Sequence, residues 1–338
     1  MRFVGKWLAV LLTVVMLMSL FACGNLTKEP TQAQTQEQVP TPLTVRVGSL
    51  KGPTSMGLVA LMDAVNQGEA EGSYAFQMET AADVIMAAMI KGDLDIALLP
   101  ANVASILYNK TKGAVQIIDV NTLGVLYVVG SDDQIQKMED LAGKTIYLTG
   151  KGTSPDFVLR YLLEKYGVEN VSLEFKSEAT EVVSALAADP TAIGLLPQPF
   201  ATVACVQNKN FKTVLDLTKE WDALQGDGGS RLVTGVTVVR KAFLEEHEAE
   251  VQVFLKEHEA SAAFANEHVA EAAALVAAAG IIEKAPVAEK AMPYCNITYI
   301  DGAEMKEALE GYLGALFEQD ATSVGGALPG EDFYYLGN

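Results

Sequence analysis

Two segments of this chain repeat one pattern 100 positions apart, and this repetition constrains the fold more than any single motif does. Residues 51–55 read KGPTS and residues 151–155 read KGTSP, and each segment opens an apolar helical pattern. Each is later followed by Leu-Leu-Pro, which ends at Pro100, 49 positions after Lys51, and at Pro197, 46 positions after Lys151. The chain therefore has two similar halves, each with a Gly/Ser/Thr loop between a strand and a helix.

Such a loop is suited to binding an anion or a dipole. Backbone N–H groups point outward at the N-terminus of a helix, where the helix dipole favours negative charge. One loop of this kind in each of two α/β halves predicts a ligand held between two lobes.

The N-terminus has the pattern of a secretory leader. Arg2 and Lys6 precede an apolar run over residues 7–22, which is shorter than the about 20 apolar residues that a membrane span needs. The run ends at Cys23, and residues 20–24, LFACG, resemble the lipobox of bacterial lipoproteins, although Phe21 is larger than the usual residue there. The resemblance implies cleavage after residue 22 and a diacylglycerol on the Cys23 thiol. The alternative is a plain signal peptide with an incidental cysteine.

The segment that follows predicts a flexible tether. Residues 23–42 are mostly Thr, Gln, Pro and Glu after the cysteine, and such a segment buries too little apolar surface to fold. About 295 residues remain after it, enough for two lobes with their own cores. No later stretch reads as a membrane span, since the Ala-rich residues 269–282 are too few and include Glu271.

Charge and cysteine content exclude several classes of function. The net charge of −19 argues against a nucleic-acid partner, because phosphate binding needs clustered Lys and Arg. It does not exclude an anionic ligand. Cys205 and Cys295 could form a disulfide in an oxidising compartment, but two buried free thiols are favoured.

Strand and helix patterns alternate along most of the chain. This alternation predicts mostly parallel sheets covered by helices on both faces. Strands are predicted at residues 43–49, 76–79, 94–99, 115–120, 123–129, 192–196 and 234–239, and helices at 56–66, 81–90, 103–108, 155–166 and 178–188. Residues 123–129 and 234–239 are predicted to cross between the lobes, and the chain is mainly helical from residue 241.

Three segments carry a resemblance to a known family. Residues 94–100 read LDIALLP, residues 140–146 read DLAGKTI, and residues 325–329 read GGALP. In this order they resemble the solute-binding lipoproteins of bacterial ABC transporters, in the group that includes nitrate, taurine, alkanesulfonate and thiamine-pyrimidine binders. The resemblance covers nearly everything from Leu43 onward.

The resemblance implies a fold and a division into lobes. The expected fold is α/β, of the type II periplasmic-binding-protein kind, with two lobes joined by two crossing strands. We expect lobe 1 to comprise residues 43–125 and 236–338, and lobe 2 to comprise residues 126–235. Open α/β sheets bind ligands beyond the carboxyl ends of their strands, which places the solute in the cleft.

The resemblance also implies a function. A small polar solute, anionic or heteroaromatic, would bridge both lobes and shift an open–closed equilibrium toward the closed form. The closed protein would deliver the solute to a membrane permease, with ATP hydrolysed by a separate subunit. This predicts a monomeric binding protein without enzymatic activity, cofactor or metal, held on the outer face of the bacterial cell membrane by Cys23.

Eleven residues are predicted to contact the solute. They are the hydroxyl, amide and glycine positions of the two loops and strand ends, together with two aromatic residues that could stack on a flat ligand. The predicted set is Lys51, Gly52, Thr54, Ser55, Asn102, Gly152, Thr153, Ser154, Phe157, Gln198 and Phe200. For each hydroxyl, helix capping is an equal alternative. Asn102 and Gln198 could instead tie down their own loops, and both Phe residues could pack in the core.

The remaining candidates and rival functions carry less weight. His247, His258 and His268 are spaced by 11 and 10 positions, so a solvated helix face is expected rather than a metal site. An enzyme of the pyrimidine-synthase type could use the same fold, but no nucleophile–base pair is evident. A sensor module that presents its solute to a receptor is the other alternative.

Overall fold

The computed structural model describes residues 43–131, 135–189, 191–226 and 230–337. These residues belong to one compact unit, 42–338. The predictions of a leader over residues 1–22, of lipidation at Cys23 and of a tether over residues 23–42 concern residues outside the described part.

The described residues form strands and helices in the alternation that the sequence predicts. The strands are β1 (Val45–Leu50), β2 (Tyr74–Glu79), β3 (Ile96–Pro100), β4 (Val115–Leu123), β5 (Leu126–Gly130), β6 (Thr145–Leu148), β7 (Ser172–Phe175), β8 (Ile193–Pro197), β9 (Lys212–Asp216), β10 (Val233–Arg240) and β11 (Ile297–Ile300). The helices are α1 (Pro53–Met56), α2 (Val59–Gln67), α3 (Ala82–Lys91), α4 (Ala101–Thr111), α5 (Ser154–Lys165), α6 (Ala179–Ala188), α7 (Phe200–Gln207), α8 (Leu217–Gln225), α9 (Lys241–Glu246), α10 (Glu248–Glu267), α11 (Val269–Ala278), α12 (Ala285–Ala291) and α13 (Gly302–Gln319). Short 3₁₀ turns lie at Met138–Leu141, Met292–Tyr294, Ala321–Val324 and Glu331–Phe333.

Two sheets with the same strand arrangement form the framework. The first has the order β11-β4-β10-β3-β1-β2 and the second the order β7-β6-β8-β5-β9. In the first sheet β10 runs antiparallel between β3 and β4, and in the second β5 runs antiparallel between β8 and β9. The other pairs that these orders share, β1 with β2 and β3, and β6 with β7 and β8, are parallel. The repetition in sequence thus corresponds to a repeated topology.

The predicted fold class, an α/β protein with two sheets flanked by helices, is confirmed. The chain leaves the first sheet after β4 and enters the second at β5, and it returns with β10. The antiparallel strands that the two sheets share, β10 and β5, are therefore those that follow a passage from the other sheet. In the first sheet β11 is a further antiparallel strand, paired with β4.

Several predicted elements differ from the observed ones in extent. The helix predicted over residues 56–66 begins earlier, at Pro53, and is split into α1 and α2 around Gly57. Proline fits the first turn of α1, where its missing N–H costs no hydrogen bond. β11 interrupts the helical C-terminal region and pairs with the edge of β4. Its four residues carry too short an alternation to distinguish a strand from a loop.

A buried carboxylate ties three strands of the first sheet together. Asp95, which is 1 % exposed, directly precedes β3. Its carboxylate accepts hydrogen bonds from Arg46 Nε at 2.8 Å and Nη2 at 2.6 Å, and from Arg240 Nη2 at 2.6 Å. Arg46 lies on β1 and Arg240 ends β10. The cluster therefore links these strands at the end of the sheet where β3 begins.

The prediction of a solvated face for all three histidines is wrong for His258. This side chain is fully buried, and its Nδ1 lies 3.2 Å from Asp119 Oδ2 on β4. Its helix, α10, buries Val251, Phe254 and Leu255 on the same face, and a residue four positions after Phe254 falls on that face as well. The prediction therefore places this polar residue on the wrong side of an amphipathic helix. His268 is exposed and His247 is half-buried.

Both remaining cysteines are free thiols. Cys295 is fully buried, as expected, whereas Cys205 is only half-buried. Burial raises the pKa of the Cys295 thiol to about 12. Within the described ranges, no helix is both long and apolar enough to cross a membrane. The same residues hold no group of three or more His, Cys, Asp or Glu side chains placed to bind a metal ion.

Candidate functional site

A cavity of about 320 Å³ lies where the two sheets face each other. Its volume is at the lower end of the range for small-molecule sites. The strand ends Pro100 and Pro197, which close the two halves of the sequence repeat, both line it. The complete lining consists of Pro100, Asn102, Val103, Val125, Leu126, Thr153, Ser154, Pro155, Val158, Pro197, Leu232, Thr234 and Tyr312.

The loop at residues 151–155, which we call the second entrance loop, forms one wall of the cavity. It leads from β6 into α5, and Pro155 occupies the first turn of that helix. Gly152 has a φ of +71°, a conformation that residues with a Cβ rarely adopt. Its N–H donates a hydrogen bond of 2.9 Å to Asp156 Oδ2, and Thr153 Oγ1 donates one of 2.6 Å to Gly150 O.

Ser154 of this loop reaches across to the other sheet. Its Oγ donates to Asn102 Oδ1 over 3.2 Å, and Asn102 begins the α4 helix that follows β3. The amide of Asn102 in turn donates to Ser323 O at 3.3 Å. Tyr312, on α13, completes this polar side of the cavity. Burial raises its pKa to about 12, although a hydrogen bond with Ser154 acts in the opposite direction, so its hydroxyl keeps its proton at neutral pH.

The loop at residues 51–55, the first entrance loop, is arranged differently. Thr54 and Ser55 are 6 % and 0 % exposed, and both hydroxyls donate to Leu50 O at the end of β1. Ser55 Oγ also lies 2.8 Å from Ser49 Oγ. The hydroxyls of this loop are therefore bound to the end of their own strand. None of the five residues of this loop lines the cavity.

Aromatic side chains connect the two sides behind the cavity. Trp221, which is fully buried on α8, lies 4.8 Å from Tyr161 and 5.7 Å from Tyr312, measured between ring centroids. Tyr127, on β5, donates its hydroxyl hydrogen to Tyr294 O at 2.7 Å. Tyr127 and Trp221 thus join elements of the two sheets, and neither is among the residues that line the cavity.

The structure brings three of the eleven predicted contact residues into the cavity wall: Asn102, Thr153 and Ser154. The other eight lie elsewhere. Phe157 is in the core, Phe200 packs beside another apolar cluster, and Gln198 Oε1 accepts a hydrogen bond of 2.8 Å from Thr202 Oγ1 in the first turn of α7. Lys51 is exposed, and Gly52, Thr54, Ser55 and Gly152 lie outside the lining. The contact role of all eleven stays a prediction.

Sequence reasoning missed most of the apolar lining. Val125 and Leu126 follow the first passage between the sheets, Leu232 and Thr234 lie at the second, and Val158 is one turn into α5. The position of Val125, Leu126, Leu232 and Thr234 beside a strand end, where the chain passes between the sheets, is a sequence signal that could have indicated them. Tyr312 lies on a helix near the C-terminus, and no local pattern connects that helix to the cavity.

The cavity wall combines neutral hydrogen-bonding groups with an apolar surface. The hydroxyls of Thr153, Ser154, Thr234 and Tyr312 can donate or accept, and Asn102 offers an amide. None of the thirteen lining residues carries a charge. The wall can therefore hold a small molecule through neutral hydrogen bonds and apolar contact.

The fold defines the class of protein. The structure superimposes on an ABC transporter protein from Parabacteroides distasonis with a TM-score of 0.74 at 22 % identity, covering 86 % of this chain and 98 % of that one. For the periplasmic aliphatic sulphonate binding protein SsuA from Escherichia coli the TM-score is 0.68 at 15 % identity, with 87 % and 92 % covered. For the alkanesulfonate-binding protein SsuA from Xanthomonas axonopodis pv. citri, bound to MOPS, it is 0.60 at 16 % identity, with 86 % and 95 % covered. At these identities the likeness shows the periplasmic-binding-protein fold.

A match to a protein family covers part of the chain. Residues 69–208 match the family described as ABC transporter, phosphonate, periplasmic substrate-binding protein. No curated protein sequence matches the chain. The predicted resemblance to the solute-binding proteins of ABC transporters is confirmed, and with it the function of a substrate-binding component of an ABC importer. The matched family and the solved structures that share the fold are described as transport binding proteins.

Proposed function

We propose that this protein captures a small solute in the cavity between its two lobes, closes around it and delivers it to a membrane permease. The solute is a small polar molecule, either anionic or heteroaromatic. The observation that carries the proposal is the composition of the cavity wall, to which the carboxyl ends of β3 and β8 and the starts of α4 and α5 all contribute. Ligands of open α/β sheets bind at such strand ends.

Closure on the solute is expected because both lobes contribute residues to the cavity wall. Asn102 and Pro100 belong to elements of the first sheet, and Ser154 and Pro197 to elements of the second. A solute that touches both sets gains all its contacts only when the lobes approach each other. It therefore shifts the open–closed equilibrium by the difference between its affinities for the two states.

Two further parts of the proposal concern the membrane. The pattern before Cys23 supports cleavage of the leader and lipidation of the cysteine thiol, and residues 23–42 would then tether the domain to the outer face of the membrane. We propose that the protein acts as a monomer, with the permease as its partner. Mass spectrometry of the protein purified from its native membrane tests the anchor, since lipidation predicts a diacylglycerol adduct on an N-terminal Cys23.

The test of solute capture uses a matched pair of asparagine variants. Asn102 and Asn109 both lie on α4 and both donate to the segment at residues 323–327, but only Asn102 lines the cavity and accepts from Ser154. The wild-type chain is screened by thermal shift against sulfonates, phosphonates, carboxylates, pyrimidines and amides, because a solute that binds only the folded form raises the melting temperature.

We expect Asn102→Ala to weaken binding of the best compound about tenfold, the worth of one hydrogen bond of about 1.4 kcal/mol. Asn109→Ala should lower the melting temperature without changing that affinity. Equal loss of affinity in both variants, or in neither, would place the solute outside the cavity and contradict the proposal.

A further inference from the structure

We infer that the cavity takes an uncharged solute with an apolar body, and that it excludes phosphonate, sulfonate and carboxylate anions. The inference rests on the proposed function and excludes the anionic class of solute named there. It depends on three features of the site: a wall without charge, a second entrance loop whose N–H group is bound to a carboxylate of the protein, and a first entrance loop whose hydroxyls are turned away.

The wall offers no cation to an anionic solute. Lys51 and Lys151, the lysines that begin the two entrance loops, are both exposed and lie outside the lining, and Lys151 Nζ lies 5.8 Å from the centre of the Phe175 ring. Eight of the thirteen lining residues, including Val103, Leu126 and Val158, are Val, Leu or Pro. An anion desolvated against such a surface keeps no compensating charge, and this is strongly unfavourable.

The second entrance loop already holds an anion of its own. Asp156 is 5 % exposed, and its Oδ2 accepts the N–H of Gly152, one of the backbone donors of this loop. Its Oδ1 accepts from Arg160 Nε at 2.6 Å, so this guanidinium is also bound to the carboxylate. Asp156 lies in the first turn of α5, between Pro155 and Val158, which line the cavity. Its negative charge therefore offsets the positive end of the helix dipole next to the cavity wall.

The polar groups that do face the cavity suit a neutral partner. Ser154, Thr234 and Tyr312 carry hydroxyls, and Asn102 carries an amide, so each can donate or accept as the solute requires. Tyr312 stays protonated because burial raises its pKa to about 12. A ring nitrogen, a carbonyl, a sulfone or an amide on an apolar body would match this wall, and the volume of about 320 Å³ limits the solute to a small molecule.

The test compares neutral and anionic compounds of nearly the same shape. We pair dimethyl sulfone with methanesulfonate, dimethyl methylphosphonate with methylphosphonate, and 6-methyluracil with orotate. Trp221 is the only tryptophan of a Trp7→Phe chain, and its ring lies 5.7 Å from Tyr312 in the cavity wall. Its fluorescence therefore reports binding at this site, at solute concentrations up to about 10 mM.

We expect at least one neutral compound to bind, and to bind about a hundredfold more tightly than its anionic partner. Asp156→Asn should reduce this ratio by raising the affinity for the anion, whereas Glu164→Gln, an exposed carboxylate on the same helix, should leave it unchanged. An anion that binds as tightly as its neutral partner would overturn the inference while keeping the proposed function. Absence of binding by all six compounds would overturn the inference as well. Only a failure of the wider thermal-shift screen, too, would count against the proposed function.

Discussion

The two entrance loops share a sequence pattern and follow corresponding strands, yet the structure uses them in opposite ways. In the first, Thr54 and Ser55 are buried and donate to Leu50 O. In the second, Ser154 reaches Asn102 across the cavity. The difference accompanies the helices that follow, since α1 has 4 residues and buries Thr54, Ser55 and Met56, whereas α5 has 12 residues and contributes Ser154, Pro155 and Val158 to the cavity wall. A shared local motif thus predicts a shared topology but not the direction of its side chains.

The two lobes also differ in the number of arginines that neutralise a buried carboxylate. Substitution of these carboxylates should have the largest effect on the free energy of unfolding. Asp95 in the first lobe accepts from two arginines, and Asp156 in the second accepts from one, Arg160, which is 48 % exposed. Asp95→Ala leaves Arg46 and Arg240 without their partner and should lower the free energy of unfolding by about 3 kcal/mol.

The comparison sharpens with Asp156→Ala, which should cost about 1 kcal/mol, because Arg160, its one cationic partner in the described part of the chain, is half-exposed to solvent. Urea denaturation of both variants measures the difference. An equal cost for the two substitutions would show that the two clusters contribute alike and that the second arginine adds nothing to the stability of the first lobe.

Packing around the first entrance loop gives the next largest effect. A Cβ on Gly235 would lie 2.5 Å from Asn121 Oδ1 and 2.6 Å from Thr54 Cγ2, so Gly235→Ala should destabilise the fold by about 2 kcal/mol. The control is Gly314→Ala on α13, where a Cβ has no atom within 4 Å. It should stabilise the protein by about 0.5 kcal/mol through helix propensity. Thermal melts of the two variants should therefore move in opposite directions.

Two serines separate stability from binding. Ser55→Ala removes a buried hydroxyl that donates to Ser49 Oγ and Leu50 O. It should lower the free energy of unfolding by about 1 kcal/mol while leaving solute affinity unchanged. Ser154→Ala removes the contact with Asn102 and should weaken solute binding about fivefold, with little change in the free energy of unfolding. If Ser55→Ala weakened binding as much as Ser154→Ala does, the first entrance loop would be part of the site.

The smallest expected effect is the loss of folding stability at low pH. Burial tends to raise the pKa of Asp95, but hydrogen bonds from Arg46 and Arg240 outweigh it and hold the pKa below its usual value. A carboxylate with a lowered folded-state pKa stabilises the protein above its unfolded pKa of about 3.9, and this contribution is lost as the pH falls through the folded-state pKa. At pH 4 the loss from this group is only about 0.3 kcal/mol, and it grows at lower pH.

Urea denaturation between pH 7 and pH 3 measures this acid effect. The difference in stability between wild type and Asp95→Asn should shrink toward low pH. A difference that stays constant over this range would mean that Asp95 is not ionised in the folded protein.

The sequence predicted the framework well, because alternating strand and helix patterns and two Leu-Leu-Pro strand ends are local signals. It predicted less of the cavity. Asn102, Thr153 and Ser154 follow directly from strand ends, whereas Tyr312 and Leu232 reach the wall only through the packing of distant elements. The prediction for His258 fails for a similar reason, since its buried partner, Asp119, lies 139 positions away in the chain. Such pairings depend on tertiary contacts that no short pattern encodes.

The most direct test of solute capture between the lobes is a crystal structure of the full chain with the tightest-binding compound from the paired screen. We predict electron density for the compound in the cavity, within hydrogen-bond distance of Asn102 or Ser154 and against Val158 and Leu126. Density at the first entrance loop, beside Thr54 and Lys51, or on an outer face of one lobe would contradict the central claim that the solute is held between the two lobes.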